Sequence, residues 1–435
     1  MTVSLTPLDP WIARKIGAEG RLRRADLERY QLDRLRETLR HARSRSSFYR
    51  ARLAGAPDEL GSLDDLARLP FTTPRDVRDN PLRFLCVSQD AIHRVVTLDS
   101  SGTIGEPKRV AFTRADQELT LDFFQVGMST FAAAGDTVLI LLPGARPGSV
   151  GDLLAAALPR LGARPVPHGP IADPRATIES IERERANVLV GTPAQALLLA
   201  RHAAGRALRL KSVLLTADHV PGAIVAAVER AWSCAVYNHY GMTEMGLGGG
   251  VDCPARRGYH LREADLLFEI VDPDSGRPAA DGTMGEIVFT TLTREGMPLV
   301  RYRTGDLSRF IPGVCPCGTA LKTLEHVRYR LAGQAGLGDG RALGMADLDE
   351  ALFPIEGVVD FTAELARGQP NRLRIDLILA PDRAGDPRPF AEAALDRVPA
   401  IRSAAHAGQL DLVVTSSPYA PSGTPRLAKR AIVER

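Results

Sequence analysis

Between residues 95 and 240 the chain alternates short apolar or β-rich runs with stretches of helical periodicity, and this alternation limits the fold more than any other feature. Strand-like runs cover residues 137–142, 187–190, 212–216 and 235–239, while residues 151–161, 176–186, 193–204 and 221–232 carry helical spacing. Such a sequence of elements predicts βαβ units and a mostly parallel sheet covered by helices. In sheets of that kind the chemistry sits on the loops that follow the carboxyl ends of strands.

The flanking segments read differently. Residues 25–50 form one amphipathic packing helix, with Leu32, Leu35, Leu39 and Ala42 at helical spacing, and Leu69-Pro70-Phe71-Thr72-Thr73-Pro74 breaks the pattern. Residues 266–271 and 285–291 read as antiparallel strands around a turn-rich stretch. After Arg330 comes a glycine-rich stretch, residues 333–344, then strands at 358–364, 373–379 and 410–414 and a helix at 389–397. A chain of 435 residues exceeds what one core usually holds. The expected architecture is therefore α/β. A large N-terminal domain, residues 1–329, has mostly parallel helix-covered sheets plus a β-rich part, and a small α+β C-terminal domain, residues 330–435, follows.

Charge and composition exclude some functions. The 55 basic and 52 acidic side chains interleave, so no basic tail or stripe argues for a nucleic-acid partner. Apolar runs are strand-sized, too short to cross a bilayer, and residues 1–20 lack a signal-peptide core. A cytoplasmic protein with no membrane partner is expected. Five cysteines in so long a chain are not a disulfide framework.

Three clusters carry chemistry. Ser100-Ser101-Gly102-Thr103-Ile104-Gly105-Glu106-Pro107-Lys108 follows a β-rich run, and its hydroxyls, glycine backbone and lysine could cradle phosphate; as composition alone it could equally be a surface turn. It lacks the Gly-Lys-Ser/Thr ending of a Walker A loop. Tyr240-Gly241-Met242-Thr243-Glu244 follows a strand and offers an aromatic face, a hydroxyl and a carboxylate able to hold a hard cation. Arg301-Tyr302-Arg303-Thr304-Gly305-Asp306 places an acid after a turn, suited to a pair of hydroxyls.

A fourth cluster concerns metal. Cys315-Pro316-Cys317-Gly318 is a C-x-C turn, with Cys253 and His260 upstream, so residues 253–317 could form a zinc knot with a closed Cys₃His set. The alternative is a coincidence of reduced thiols. Cys86 and Cys234 read as core thiols.

In this order the first three clusters resemble the signature loops of the acyl-CoA synthetase and adenylation-domain superfamily. The blocks Gly285-Glu286-Ile287-Val288-Phe289-Thr290-Thr291-Leu292 and Met297-Pro298-Leu299-Val300-Arg301-Tyr302 narrow the resemblance to the phenylacetate–CoA ligase and coenzyme F390 synthetase-like branch. It extends over roughly residues 25–330, and the same branch carries a similar Cys…His…Cys-x-Cys set.

The resemblance implies an ATP-dependent enzyme that activates a small carboxylic acid as acyl-AMP and then passes the acyl group to CoA. Ser100, Ser101, Gly102, Thr103, Gly105 and Lys108 would hold the β- and γ-phosphates. Tyr240 and Gly241 would lie against adenine, Thr243 would contact the α-phosphate and Glu244 would bind Mg²⁺. Asp306 and Arg330 would take the ribose, Asp218 would line the adenine pocket, and residues 147–151 and 191–194 the acyl pocket. The C-terminal domain would act as a rotating lid, and a homodimer is left open.

Two departures stand out. The family follows its hinge Gly-Arg with two acids, whereas Arg328-Tyr329-Arg330-Leu331-Ala332-Gly333 has none. The catalytic tail lysine aligns with Leu427, with Lys429 nearby as a substitute or as part of an exposed basic helix. The competing readings are an adenylyltransferase that makes a stable AMP adduct without CoA, and a non-catalytic nucleotide-binding protein.

Overall fold

The computed structural model describes residues 3–98, 107–203, 208–337, 341–380, 385–420 and 430–435. It has two compact units. One comprises Met1–Phe131, Ala156–Leu161 and Asn238–Val327; the other comprises Ala132–Ala155, Gly162–Tyr237 and Arg328–Arg435.

The second unit holds the parallel layer read from the sequence. Its strands lie in the order Ser212–Leu215, Val188–Gly191, Thr137–Ile140, Arg164–Pro167, all parallel. The first three are buried along their whole length, which explains their unbroken apolar runs. Helices Pro174–Glu184, Pro193–His202 and Gly222–Trp232 return the chain between strands. The second of these starts on a capping box in which Thr192 and Gln195 satisfy each other's backbone N–H, with Pro193 at the first helical position. Strand Arg164–Pro167 escapes the sequence reading because it carries two prolines, which a sheet tolerates at its edge.

Residues 328–435 add a four-stranded sheet to this unit, ordered Leu410–Pro418, Asn371–Leu379, Val358–Ala366, Ile432–Glu434. Its apolar side chains join those of the parallel layer in one core, and Arg201 donates to the Phe353 carbonyl at 2.8 Å. The single helix expected at 389–397 is two, Arg388–Leu395 and Pro399–His406. Pro399 cannot continue the first helix but suits the start of the second. The chain ends in strand Ile432–Glu434, parallel to Val358–Ala366 and not in a basic helix.

In the first unit the helix expected over 25–50 is likewise divided. Helix Arg24–Arg45 buries Leu27, Gln31, Leu35, Thr38, Leu39 and Ala42. It stops at Ser46, whose backbone turns extended and whose hydroxyl caps the next helix, Ser47–Arg52, through the Tyr49 N–H at 3.2 Å. Strands Leu266–Val271, Gly285–Thr291 and Tyr302–Ser308 form the antiparallel, β-rich part. Strands Ile92–Leu98 and Lys108–Thr113 pair antiparallel, so Leu98 faces Lys108 where the strands end.

Candidate active site

Three strand ends of the first unit meet at one carboxylate. Strand Ala235–Tyr240 runs into a short 3₁₀ turn, Thr243–Met245, that carries Glu244. Strand Lys108–Thr113 begins with Lys108, and strand Tyr302–Ser308 begins with Tyr302. The Glu244 side chain is buried and ion-paired to Lys108, and it accepts a hydrogen bond from the Tyr302 hydroxyl at 3.0 Å. Lys108 Nζ also lies 3.2 Å from that hydroxyl. Burial would raise the Glu244 pKa, but the charge of Lys108 and its hydrogen bond outweigh it and hold the carboxyl below its usual range. An ionised, buried carboxylate whose partner is a lysine ammonium can take a metal cation in its place.

The turn has little freedom. A Cβ on Gly241 would sit 2.3 Å from the Leu247 carbonyl oxygen, so glycine is required for the backbone to fold back on itself. Underneath, Arg294 Nη1 donates to the Glu244 carbonyl at 2.7 Å, and Thr120 donates to the Gly246 carbonyl at 2.9 Å. Burial pushes the Arg294 pKa down to about 10, with nearby Asp116 opposing.

Beside the turn, Tyr240 donates to Asp306 at 3.0 Å. Its ring stacks on Tyr259 with centroids 5.7 Å apart. Asp306 lies within a bulge in strand Tyr302–Ser308, between the paired Arg303 and Leu307, where Gly305 takes φ +73° and its N–H donates to Glu286 at 2.9 Å. Burial alternates along that strand, so Tyr302, Thr304 and Asp306 are inside while Arg303 is half-buried. The arginines of the motif serve the fold. Arg301 grips Glu269 with two nitrogens at 2.9 and 3.1 Å and donates to the carbonyls of Ala67 and Leu69.

The cysteine cluster also assembles in this unit. Strands Gly250–Asp252, Tyr259–Leu261 and Thr323–Leu324 pair antiparallel, bringing Cys253, His260 and the turn at Cys315 and Cys317 together. One ligand atom from each lies within 4.8 Å of the others, and all four residues are buried. Cys253 and Cys315 sulfurs are 3.6 Å apart, and Cys317 Sγ is 3.3 Å from His260 Nε2. Tetrahedral zinc with ordinary bond lengths spaces two thiolates about 3.8 Å and a thiolate and imidazole about 3.6 Å apart. The donor set therefore fits. His260 Nδ1 lies 3.2 Å from the Lys322 carbonyl, which can only accept, so Nδ1 carries a proton and Nε2 is the nitrogen that faces the cysteine sulfurs. Hydrogen bonding from Cys253, with burial opposing and His260 helping, holds the Cys317 thiol well below its ordinary range. Burial opposes the charge on His260, but bonds to Cys315 and Cys317 prevail and raise it to about 10.

The structure thus brings together Lys108, Tyr240, Gly241, Thr243, Glu244 and Asp306, with Cys253, His260, Cys315 and Cys317 in the same unit. Asp218 and Arg330 belong to the second unit. Asp218 accepts from the His219 N–H at 2.9 Å, and Arg330 accepts through its carbonyl from Gln334 at 3.1 Å. Ser100, Ser101, Gly102, Thr103, Gly105 and Lys429 lie outside the described residues. Sequence reasoning gave no role to Tyr302 or Arg294. For Tyr302 the signal was available, since it stands in the Asp306 motif on the same buried alternation.

The AMP-binding enzyme family model matches residues 29–292. The chain is 35% identical over 325 residues to the phenylacetate-coenzyme A ligase of Thermus thermophilus, covering 71% of this chain and 70% of that one. It is 33% identical over 307 residues to that of Escherichia coli, covering 66% and 68%. A crystal structure of 2-hydroxyisobutyryl-CoA ligase in the postadenylation state superposes with a TM-score of 0.78 over 95% of this chain and 91% of that one, at 22% identity. The chain belongs to the AMP-binding enzyme family. Within it, the chain falls in the phenylacetate–CoA ligase branch, and the mixed α/β fold expected from the sequence holds.

Proposed function

We propose that this protein activates a carboxylic acid with ATP as acyl-AMP, releasing pyrophosphate, and then transfers the acyl group to CoA. The observation that carries the reading is the Lys108–Glu244–Tyr302 cluster at three converging strand ends, beside the Tyr240–Asp306 pair. Relatives named phenylacetate-coenzyme A ligase, each matched over about two thirds of its length or more, support the acid–CoA ligase chemistry.

In the first step a carboxylate oxygen of the acid attacks the α-phosphorus of ATP, and the bond to the β-phosphate bridging oxygen breaks. Lys108 balances charge on the phosphates and Thr243 offers its hydroxyl to the α-phosphate. Glu244 is the residue that would hold Mg²⁺, a fit supported by its buried, ionised carboxylate; the ion supplies charge neutralisation when it arrives with ATP. Asp306 is aimed by Tyr240 to accept from ribose hydroxyls. In the second step the CoA sulfur attacks the acyl carbon and AMP leaves.

The roles of Ser100, Ser101, Gly102, Thr103, Gly105, Asp218 and Arg330, and of residues 330–435 as a lid delivering Lys429, rest on the family resemblance. Cys253, His260, Cys315 and Cys317 are proposed to hold a structural Zn²⁺, as four buried protein donors complete a tetrahedral site and leave no position for substrate.

The test is pyrophosphate release over a panel of aryl, arylacetic and short aliphatic acids, with and without CoA. At least one acid is expected to release pyrophosphate, with AMP release strongly stimulated by CoA and a loss on the order of 10²-fold in Glu244→Gln. AMP adduct that accumulates equally with CoA would favour a stable adenylyltransferase, and no release with any acid would oppose the reading.

A further inference from the structure

The turn carrying Thr243 and Glu244 rests on a buried cation that the chemistry above leaves without a role. Arg294 is 7% exposed, and its guanidinium lies 5.0 Å over the Phe112 ring. Nη1 donates to the Glu244 carbonyl at 2.7 Å, and Nη2 sits 3.3 Å from where a Cβ on Gly246 would be. Among the described residues the guanidinium makes that one hydrogen bond and pairs with no carboxylate. The carboxylate whose charge acts on it most, Asp116, is engaged by the backbone N–H groups of Thr113, Glu295 and Gly296 at 2.9, 2.8 and 3.1 Å.

Burying an unpaired guanidinium is costly, and a neutral donor would close the turn as well. What a cation adds is a fixed positive charge directly behind the residue that faces the nucleotide. Its grip is on the backbone of Glu244 while Lys108 and Tyr302 hold the carboxylate, so the residue is fixed from both ends.

We propose that Arg294 is a positioning residue for the metal–nucleotide complex, locking the Glu244 backbone so that its carboxylate is presented to the ATP-bound cation. Its side chain acts through the Glu244 carbonyl, the one hydrogen-bond partner it has among the described residues. The inference rests on the adenylation reading and adds to it the residue that presets Glu244.

The test uses the full chain with Arg294→Met and Arg294→Lys, measuring ATP binding by calorimetry in Mg²⁺ and in EDTA, with melting temperature recorded alongside. Arg294→Met is expected to weaken ATP binding about tenfold in Mg²⁺ and less than twofold in EDTA. Arg294→Lys keeps the charge and one donor and should recover part of the loss. If Arg294→Met does not fold, Arg294→Lys combined with Glu244→Gln decides. The double variant should bind Mg²⁺–ATP no worse than Glu244→Gln alone, because one residue acts through the other. A lowered melting temperature with unchanged Mg²⁺-dependent affinity, or additive losses in the double variant, would overturn the inference and leave adenylation standing. A wild-type chain that does not bind Mg²⁺–ATP would overturn the adenylation reading, and this inference with it.

Discussion

His239 stands on the strand that ends in Tyr240, packed beside Phe123 at 6.2 Å and Phe124 at 6.3 Å. Burial, with the Arg262 cation nearby, pushes its pKa down to about 4 from an ordinary 6.5. The fold therefore holds it neutral where the unfolded chain would protonate it. Its contribution is complete above about pH 6.5 and is lost as pH falls towards about 4, because the unfolded state then binds the extra proton. Urea unfolding at pH 7.5 and pH 5 should show a decrease in stability that is smaller in His239→Gln; equal decreases would remove His239 as the cause. Glu244 behaves in the opposite sense, charged in the interior because Lys108 accompanies it. Glu244, Lys108 and Asp306 were legible in the sequence because each belongs to a short local pattern. Arg294 was not, since its partner lies 50 residues away and nothing local marks it.

At the scale of elements, the parallel layer was readable because its strands are buried on both faces and its helices begin at prolines and capping residues. What escaped was long-range. The segment Arg328-Tyr329-Arg330 has no acid beside it in the sequence, yet the helix Met345–Leu352 supplies acids from further along the chain. Tyr329 donates to Asp347 at 3.1 Å, and Arg328 lies 3.3 Å from Glu350, which also meets His219 at 3.3 Å. Arg430 is held in the same unit by Asp349 and Asp360, under the rings of Phe353 and Phe361. The three short strands that gather the cysteines were also unread, because strands of two or three residues carry no usable periodicity. Their convergence predicts that purified protein contains about one zinc per chain, measured by emission spectrometry. Cys317→Ser should lose it and melt roughly 5 °C lower. Metal-free native protein whose cluster thiols titrate freely would rule the site out.

Across the whole molecule, Lys108, Tyr240, Thr243, Glu244, Asp306 and the cysteine set fall in one unit, while Asp218 and Arg330 fall in the other, whose core the parallel layer and the C-terminal sheet share. No helix among the described residues is long and apolar enough to cross a membrane. The motif order carried the class of chemistry because each signature loop follows or begins a strand, where backbone geometry is set locally. The acid escapes sequence reading because specificity depends on pocket walls drawn from segments with no shared pattern. Carboxylate attack on the α-phosphorus has a consequence that requires no knowledge of those walls. When CoA displaces AMP, the attacking oxygen stays with the phosphate. An acid from the panel labelled with ¹⁸O in both carboxylate oxygens, turned over with ATP and CoA, should yield AMP carrying one ¹⁸O by mass spectrometry. Product AMP without label, or label in inorganic phosphate with ADP formed instead, would contradict the account.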